Sequence, residues 1–172
     1  MEPSDVLFNL VEASIALAGF AGIVTVLGRR SAGDWSPIDR ARLANLLAST
    51  LTAFGSALVT LVLLSAHLEP RLVWQASSGL LLAVSGPATF AIARRAALFS
   101  REPGPSPNVL YTSVVLLAQG AALALQAANV VHLQAFWPYF AGLVVDLGIG
   151  ASQFVRLLWL GIGSGPGNRR HG

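Results

Sequence analysis

Two carboxylates, Asp146 and Glu12, fall inside long apolar runs. An ionisable side chain placed there is costly unless it faces a partner or water. Asp146 lies about 13 Å from the nearer end of its run at 1.5 Å per residue, and Glu12 roughly 7 to 9 Å into its own. Asp146 is the deeper of the two, and both fall in the outer half of the membrane. On helices that run in the same direction they would approach within about a turn of each other if those helices are neighbours, in one subunit or across two. Such a pair suits a proton relay or a cation site. Gly142 and Gly150, one turn either side of Asp146, leave room against the carboxyl for an ion, water or another helix.

Amides accompany the acids. Gln75, Gln119, Gln126, Asn129 and Asn9 also fall inside apolar runs, where their donors and acceptors must be satisfied away from lipid. With Asp146 and Glu12 they are the expected lining of an ion or proton pathway. The competing explanation is purely structural: Asn9 sits three residues before Glu12, and a glutamine of the fourth helix can reach Asp146. Arg156 is ten residues beyond Asp146, about 15 Å along a helix, and reads as an anchor at the membrane edge and not as its ion-pair partner. His67 and His132 stand at outer helix ends, His67 close to Glu69, where they could sense external pH or bind a metal ion. No paired spacing supports a bis-histidine haem, and no cofactor is expected.

Composition removes other chemistries. All eleven basic residues are arginine, and the chain has neither lysine nor cysteine. This excludes a Schiff base, a Walker phosphate loop, a disulfide, a thiolate nucleophile and an iron–sulfur cluster. Metalloprotease, serine-hydrolase, intramembrane aspartyl and phosphatase patterns are absent, so no catalytic residue and no enzyme is expected. The net charge of +3 comes from arginines beside apolar runs, which points to membrane topology and away from nucleic acid.

Of the 172 residues, 54% are apolar and 11% charged, and the mean hydropathy is +0.65. These values describe an all-helical, multi-pass protein in a lipid bilayer. Five runs are long enough to cross, at about 6–27, 41–66, 72–93, 109–131 and 137–158, and the loops leave no room for a soluble domain. The chain 1–172 is therefore expected to form a single transmembrane bundle; four spans plus a re-entrant segment is the alternative.

Arginines alternate with the loops. Arg29, Arg30, Arg40 and Arg42 mark the first loop, Arg94, Arg95 and Arg101 the third, and Arg156, Arg169 and Arg170 the C-terminal end. The second loop has only Arg71. Cytoplasmic loops retain positive charge, which predicts an outer N-terminus and a cytoplasmic C-terminus. Trp74 and Trp137 would then mark outer helix ends, and Trp35 and Trp159 inner ones. Ser36, Pro37 and Asp39 make a helix-start signal, and the run from Glu102 to Pro107 breaks the chain before the fourth span.

Polar residues recur at helical spacing in every span. Asn45, Ser49, Thr52, Ser56 and Thr60 line the second; Gln75, Ser78, Ser85 and Thr89 the third; Thr112, Gln119, Gln126 and Asn129 the fourth; Tyr139, Gly142, Asp146, Gly150 and Gln153 the fifth. Packing accounts for the serines and threonines, for Gly142 and Gly150, and for a Ser14, Ala18, Gly22 ridge on the first helix. Two functions fit these faces. One is a small oligomeric channel or transporter with a proton- or cation-linked acidic site in the outer half of the membrane. Its pathway would lie on a symmetry axis or between subunits. The other is a non-catalytic accessory or structural subunit of a larger membrane complex. The arginine-rich, lysine-free composition suggests a bacterial inner membrane.

Overall fold

The computed structural model describes residues 2–32, 37–99 and 109–163. Among them are five long α-helices: α1 (Pro3–Ala32), α2 (Pro37–Ser65), α3 (Pro70–Phe99), α4 (Val109–Ala128) and α5 (Phe136–Gly163). Each provides a stretch of 24 to 26 residues that is long and apolar enough to cross a membrane, the fourth by running on past the end of α4 to Leu133. The chain is thus all-helical and has the make-up of a multi-pass membrane protein.

Three of these helices open on proline, at Pro3, Pro37 and Pro70. The first helical position has no use for an N–H donor, and the proline ring already fixes a helical φ. The carbonyl of Glu2 accepts from the amides of Asp5 and Val6, and that of Glu69 from Val73. Asp5 adds a negative charge to the positive end of the α1 dipole. The helices outrun the apolar stretches at the arginine-bearing end. Arg29 and Arg30 lie within α1, and Arg94 and Arg95 within α3, where loops were expected. The expected Ser36 cap, Trp35, the Glu102 to Pro107 breaker, Arg101, Arg169 and Arg170 lie outside the described residues.

The α2–α3 turn is tight and places His67 in the left-handed region at φ 54°. The α4–α5 connection is less ordinary. α4 runs on into a π-helical turn, Asn129–Leu133, which ends at Gln134 with φ 47°. The amide of Gln134 reaches back to the carbonyl of Asn129 at 3.1 Å.

Polar side chains share the interior with an apolar core, and many large apolar side chains face outward, as suits lipid. Ser14, Thr60, Ser77, Gln126, Asn129 and Asp146 are buried, whereas Phe90, Leu110, Leu117 and Trp159 are each more than 70% exposed. α5 packs against all four other helices, most extensively against α2. One apolar cluster joins Leu7 and Leu10 of α1, Ala57 of α2, Trp74 and Leu81 of α3, and Tyr139 and Leu143 of α5. A smaller one, Ala21, Leu46 and Leu157, closes the other end. Trp74 is 7% exposed, with its ring 5.2 Å from that of Phe136 and 6.4 Å from that of Tyr139. It is a core residue and not an interfacial anchor. Trp137 and Trp159, by contrast, are exposed near opposite ends of α5.

Candidate functional site

α5 carries Asp146 into the bundle, where it is 4% exposed. α3 supplies Ser85, whose Oγ donates to Asp146 Oδ2 at 3.1 Å. α4 supplies Gln119, whose Nε2 donates to Oδ1 at 2.8 Å. Both carboxyl oxygens thus meet neutral donors, and no basic side chain pairs with them among the described residues. Arg156 is occupied elsewhere, with its guanidinium 4.0 Å over the Tyr111 ring. Ser85 precedes Pro87 by two residues, and that proline withholds the amide that the Ala83 carbonyl would otherwise accept within α3.

One turn from Asp146, Gly142 admits the amide of Gln126. Gln126 sits seven residues after Gln119 on the same face of α4, and its Nε2 donates to the Pro138 carbonyl at 2.7 Å. A Cβ on Gly142 would collide with that Nε2 and lie 2.9 Å from Leu81 Cδ2. The space bounded by Ser85, Gln119, Gln126, Gly142 and Asp146 is too small for a water molecule.

Two further polar networks flank this site. Asn129 donates through Nδ2 to Ser78 Oγ at 2.7 Å and to the Ala135 carbonyl at 3.0 Å, and its Oδ1 accepts from the Ala135 amide at 2.9 Å. Gln75 donates to the Val130 carbonyl at 2.8 Å, a backbone group within the π-helical turn. The second network joins three helices: Tyr139 Oη donates to the Ser56 carbonyl at 2.8 Å and accepts from Thr60 Oγ1 at 2.7 Å. Ser77 Oγ lies 2.8 Å from the same threonine hydroxyl.

Beyond Asp146, Gly150 lets α5 close on α2 and α1. A Cβ there would lie 2.6 Å from Thr50 Oγ1, 3.2 Å from Ser49 Oγ and 3.4 Å from Leu17 Cδ2. Thr50 is fully buried, and its hydroxyl has no hydrogen-bond partner. Three other buried side-chain oxygens share that condition among the described residues: Gln119 Oε1, Gln126 Oε1 and Gln153 Oε1. Unpaired buried polar atoms are rare in folded proteins and each calls for an explanation. All four lie on or against one stripe of α5, at Gly142, Asp146, Gly150 and Gln153.

Of the amides expected from the sequence, Gln119 bonds to Asp146, Gln126 lies one turn away against Gly142, and Gln75 and Asn129 meet at the α4–α5 turn. Glu12 and Asn9 do not join them: both are exposed. α1 turns Leu7, Leu10, Val11 and Ser14 inward, and Glu12 lies on the opposite side. Within the chain its expected approach to Asp146 does not occur, although the two helices are neighbours. His67 and His132 are exposed, and His67 Nδ1 is 2.8 Å from the Ser65 carbonyl. No group of three or more histidine, aspartate or glutamate side chains that could hold a metal ion occurs among the described residues. Of the expected packing ridge, Ser14 is buried and Ala18 half-buried, while Gly22 is exposed with nothing near it. Ser85, Thr50 and Gln153 complete the site. Spacing placed Ser85 and Gln153 on polar stripes without marking them out, whereas Thr50 falls one position off the α2 stripe.

No family model matches the chain, and neither a curated protein nor a solved structure matches it.

Proposed function

We propose that this chain is a small transporter of the inner membrane of a bacterium, in which Asp146 is the proton- or cation-linked site. The observation that carries the reading is the row of unpartnered buried oxygens along α5, with a carboxyl in its midst. From Gly142 to Gln153 the row spans about 16 Å, half the hydrocarbon core. Oxygen acceptors without donors attract a proton or a cation, and nothing in packing requires them.

A proton fits better than a metal ion, because the space at Asp146 does not admit even a water molecule. Ionised, the carboxylate accepts from Ser85 and Gln119 as observed. Once protonated it becomes a donor, and half a turn of the Gln119 amide brings Oε1 round to accept that hydrogen. The pathway on this reading runs inside one chain, along α5, and Glu12 has no part in it. An interface between subunits, expected from the small size of the bundle, is not needed.

The alternative reading, an accessory subunit of a larger assembly, draws on a different observation: the closed interior, together with the polar residues that α1 turns outward. Flux into liposomes separates the two. Native protein should carry protons down a pH gradient, Asp146→Asn should abolish this with unchanged oligomer size, and Glu12→Gln should retain it. Absence of flux in the native protein, under a proton gradient or with sodium, potassium or chloride, overturns the transport reading.

A further inference from the structure

α1 has two faces, and only one is used within the chain. Leu7, Leu10, Ser14 and Ala21 pack inward. On the opposite side Glu12, Ala16, Gly19 and Ile23 follow one another in steps of four, three and four, with Asn9 one turn before Glu12, and all are exposed. Gly19, Gly22, Ile23 and Val26 border an open groove of about 420 Å³. An apolar outward face would be ordinary in lipid, but this one carries a carboxyl and an amide. Neither makes a hydrogen bond to a described residue, and lipid tails offer none.

We infer that this face seats α1 of a second copy of the chain, packed in parallel about a twofold axis along the membrane normal. A twofold contact uses the same patch on both partners, so residue i meets j and j meets i. The α1 face is complementary to itself in that sense. Its donor, the Asn9 amide, and its acceptor, the Glu12 carboxyl, are three residues apart, a rise of about 4.5 Å that the two side chains can bridge between crossing helices. The pairing repeats on both sides of the axis, with the amides standing between the carboxyls. Further along, Ala16 and Gly19 have almost no side chain, and a Cβ at Gly19 would meet nothing within 4 Å. Small residues at such spacing let two backbones approach closely, which is what drives association in lipid. A different protein seated here would have to bring its own amide or hydroxyl donor to this depth; a second copy brings it already in register.

The absence of cysteine makes the test direct. The full chain, reconstituted in liposomes, is oxidised after single substitutions: Ala16→Cys and Gly19→Cys on the α1 face, with Phe90→Cys on α3 and Leu117→Cys on α4 as exposed controls. The α1 variants should form disulfide-linked dimers at several times the yield of the controls. Adding Asn9→Leu with Glu12→Leu to Ala16→Cys should cut that yield several-fold. Equal yields from all four positions, a dimer that forms through α3 or α4, or a yield indifferent to Asn9 and Glu12 would overturn the inference. The readout is assembly and not flux, so it stands or falls separately from the transport reading.

Discussion

Gln119 holds Asp146 with one end of its amide, Nε2 to Oδ1 at 2.8 Å, and leaves the other end, Oε1, buried without a partner. An amide that served only to satisfy a carboxyl would be expected to have both ends paired, since an unpaired buried acceptor costs about 1–3 kcal/mol. Gln119 instead keeps an acceptor in reserve beside the one buried carboxyl among the described residues.

Gln119→Leu should therefore separate function from packing. It removes one unpaired oxygen, Gln119 Oε1, and strands another, Asp146 Oδ1, so those two costs largely offset. What is lost is one interhelical hydrogen bond, worth about 0.6 kcal/mol on average in membrane proteins. Stability, read by unfolding of the reconstituted protein, should change by less than about 1 kcal/mol. Proton flux should fall at least tenfold. Unchanged flux would show that the amide is a packing group.

Gly142 should tolerate no side chain. A Cβ there collides with the Gln126 amide and with Leu81, and Gln126 cannot retreat without releasing the Pro138 carbonyl. Overpacking of this kind costs about 1–3 kcal/mol. Gly148, on the same helix, meets nothing within 4 Å. Gly148→Ala should thus match or slightly exceed the native thermal midpoint, while Gly142→Ala lowers it by several degrees.

Asn129 is the corner of the α4–α5 connection. Asn129→Ala strands the Ala135 amide and carbonyl and frees Ser78, and should destabilise by about 1–3 kcal/mol. Asn129→Asp keeps the acceptor for the Ala135 amide but sets a buried carboxylate oxygen against the Ala135 carbonyl, so at neutral pH it should destabilise at least as much as alanine. Hydrogen exchange at the Ala135 amide reads the loss directly: fast in Asn129→Ala, still slowed in Asn129→Asp.

Helical spacing made much of this legible. On α5, Tyr139, Gly142, Asp146, Gly150 and Gln153 are all buried, because a single polar and small face on an apolar helix can turn only inward. α1 defeated the same argument. It has small residues on two faces, Ser14 with Ala18 and Ala16 with Gly19, and periodicity does not say which of them the rest of the chain will cover. Glu12 was consequently expected at Asp146 and lies on the other side. The π-helical turn at Asn129–Leu133 has no glycine or proline to announce it. Its bonds are made by side chains, from Gln75 and Ser78 of α3 and from Asn129 to Ala135, which no local spacing signals. Thr50 was hidden for a similar reason, since only the closeness of Gly150 singles it out from Ser49.

That closeness can be tested by coupling. With a Cβ at position 150 only 2.6 Å from Thr50 Oγ1, Gly150→Ala must push the threonine hydroxyl aside or part α5 from α2. Alone it should destabilise by about 1–3 kcal/mol. Thr50→Ala alone removes a hydroxyl that has no partner, and should cost little. Together the two should cost less than their sum, because alanine at 50 vacates the volume that the new methyl needs. A favourable coupling of at least 0.5 kcal/mol, the lower end for residues in contact, is expected from a double-mutant cycle on the reconstituted protein. Ser49 Oγ at 3.2 Å and Leu17 Cδ2 at 3.4 Å remain in both backgrounds, so the rescue should be partial. Strict additivity would mean that α5 and α2 do not approach at this point, and the row of oxygens along α5 would lose the member at Thr50.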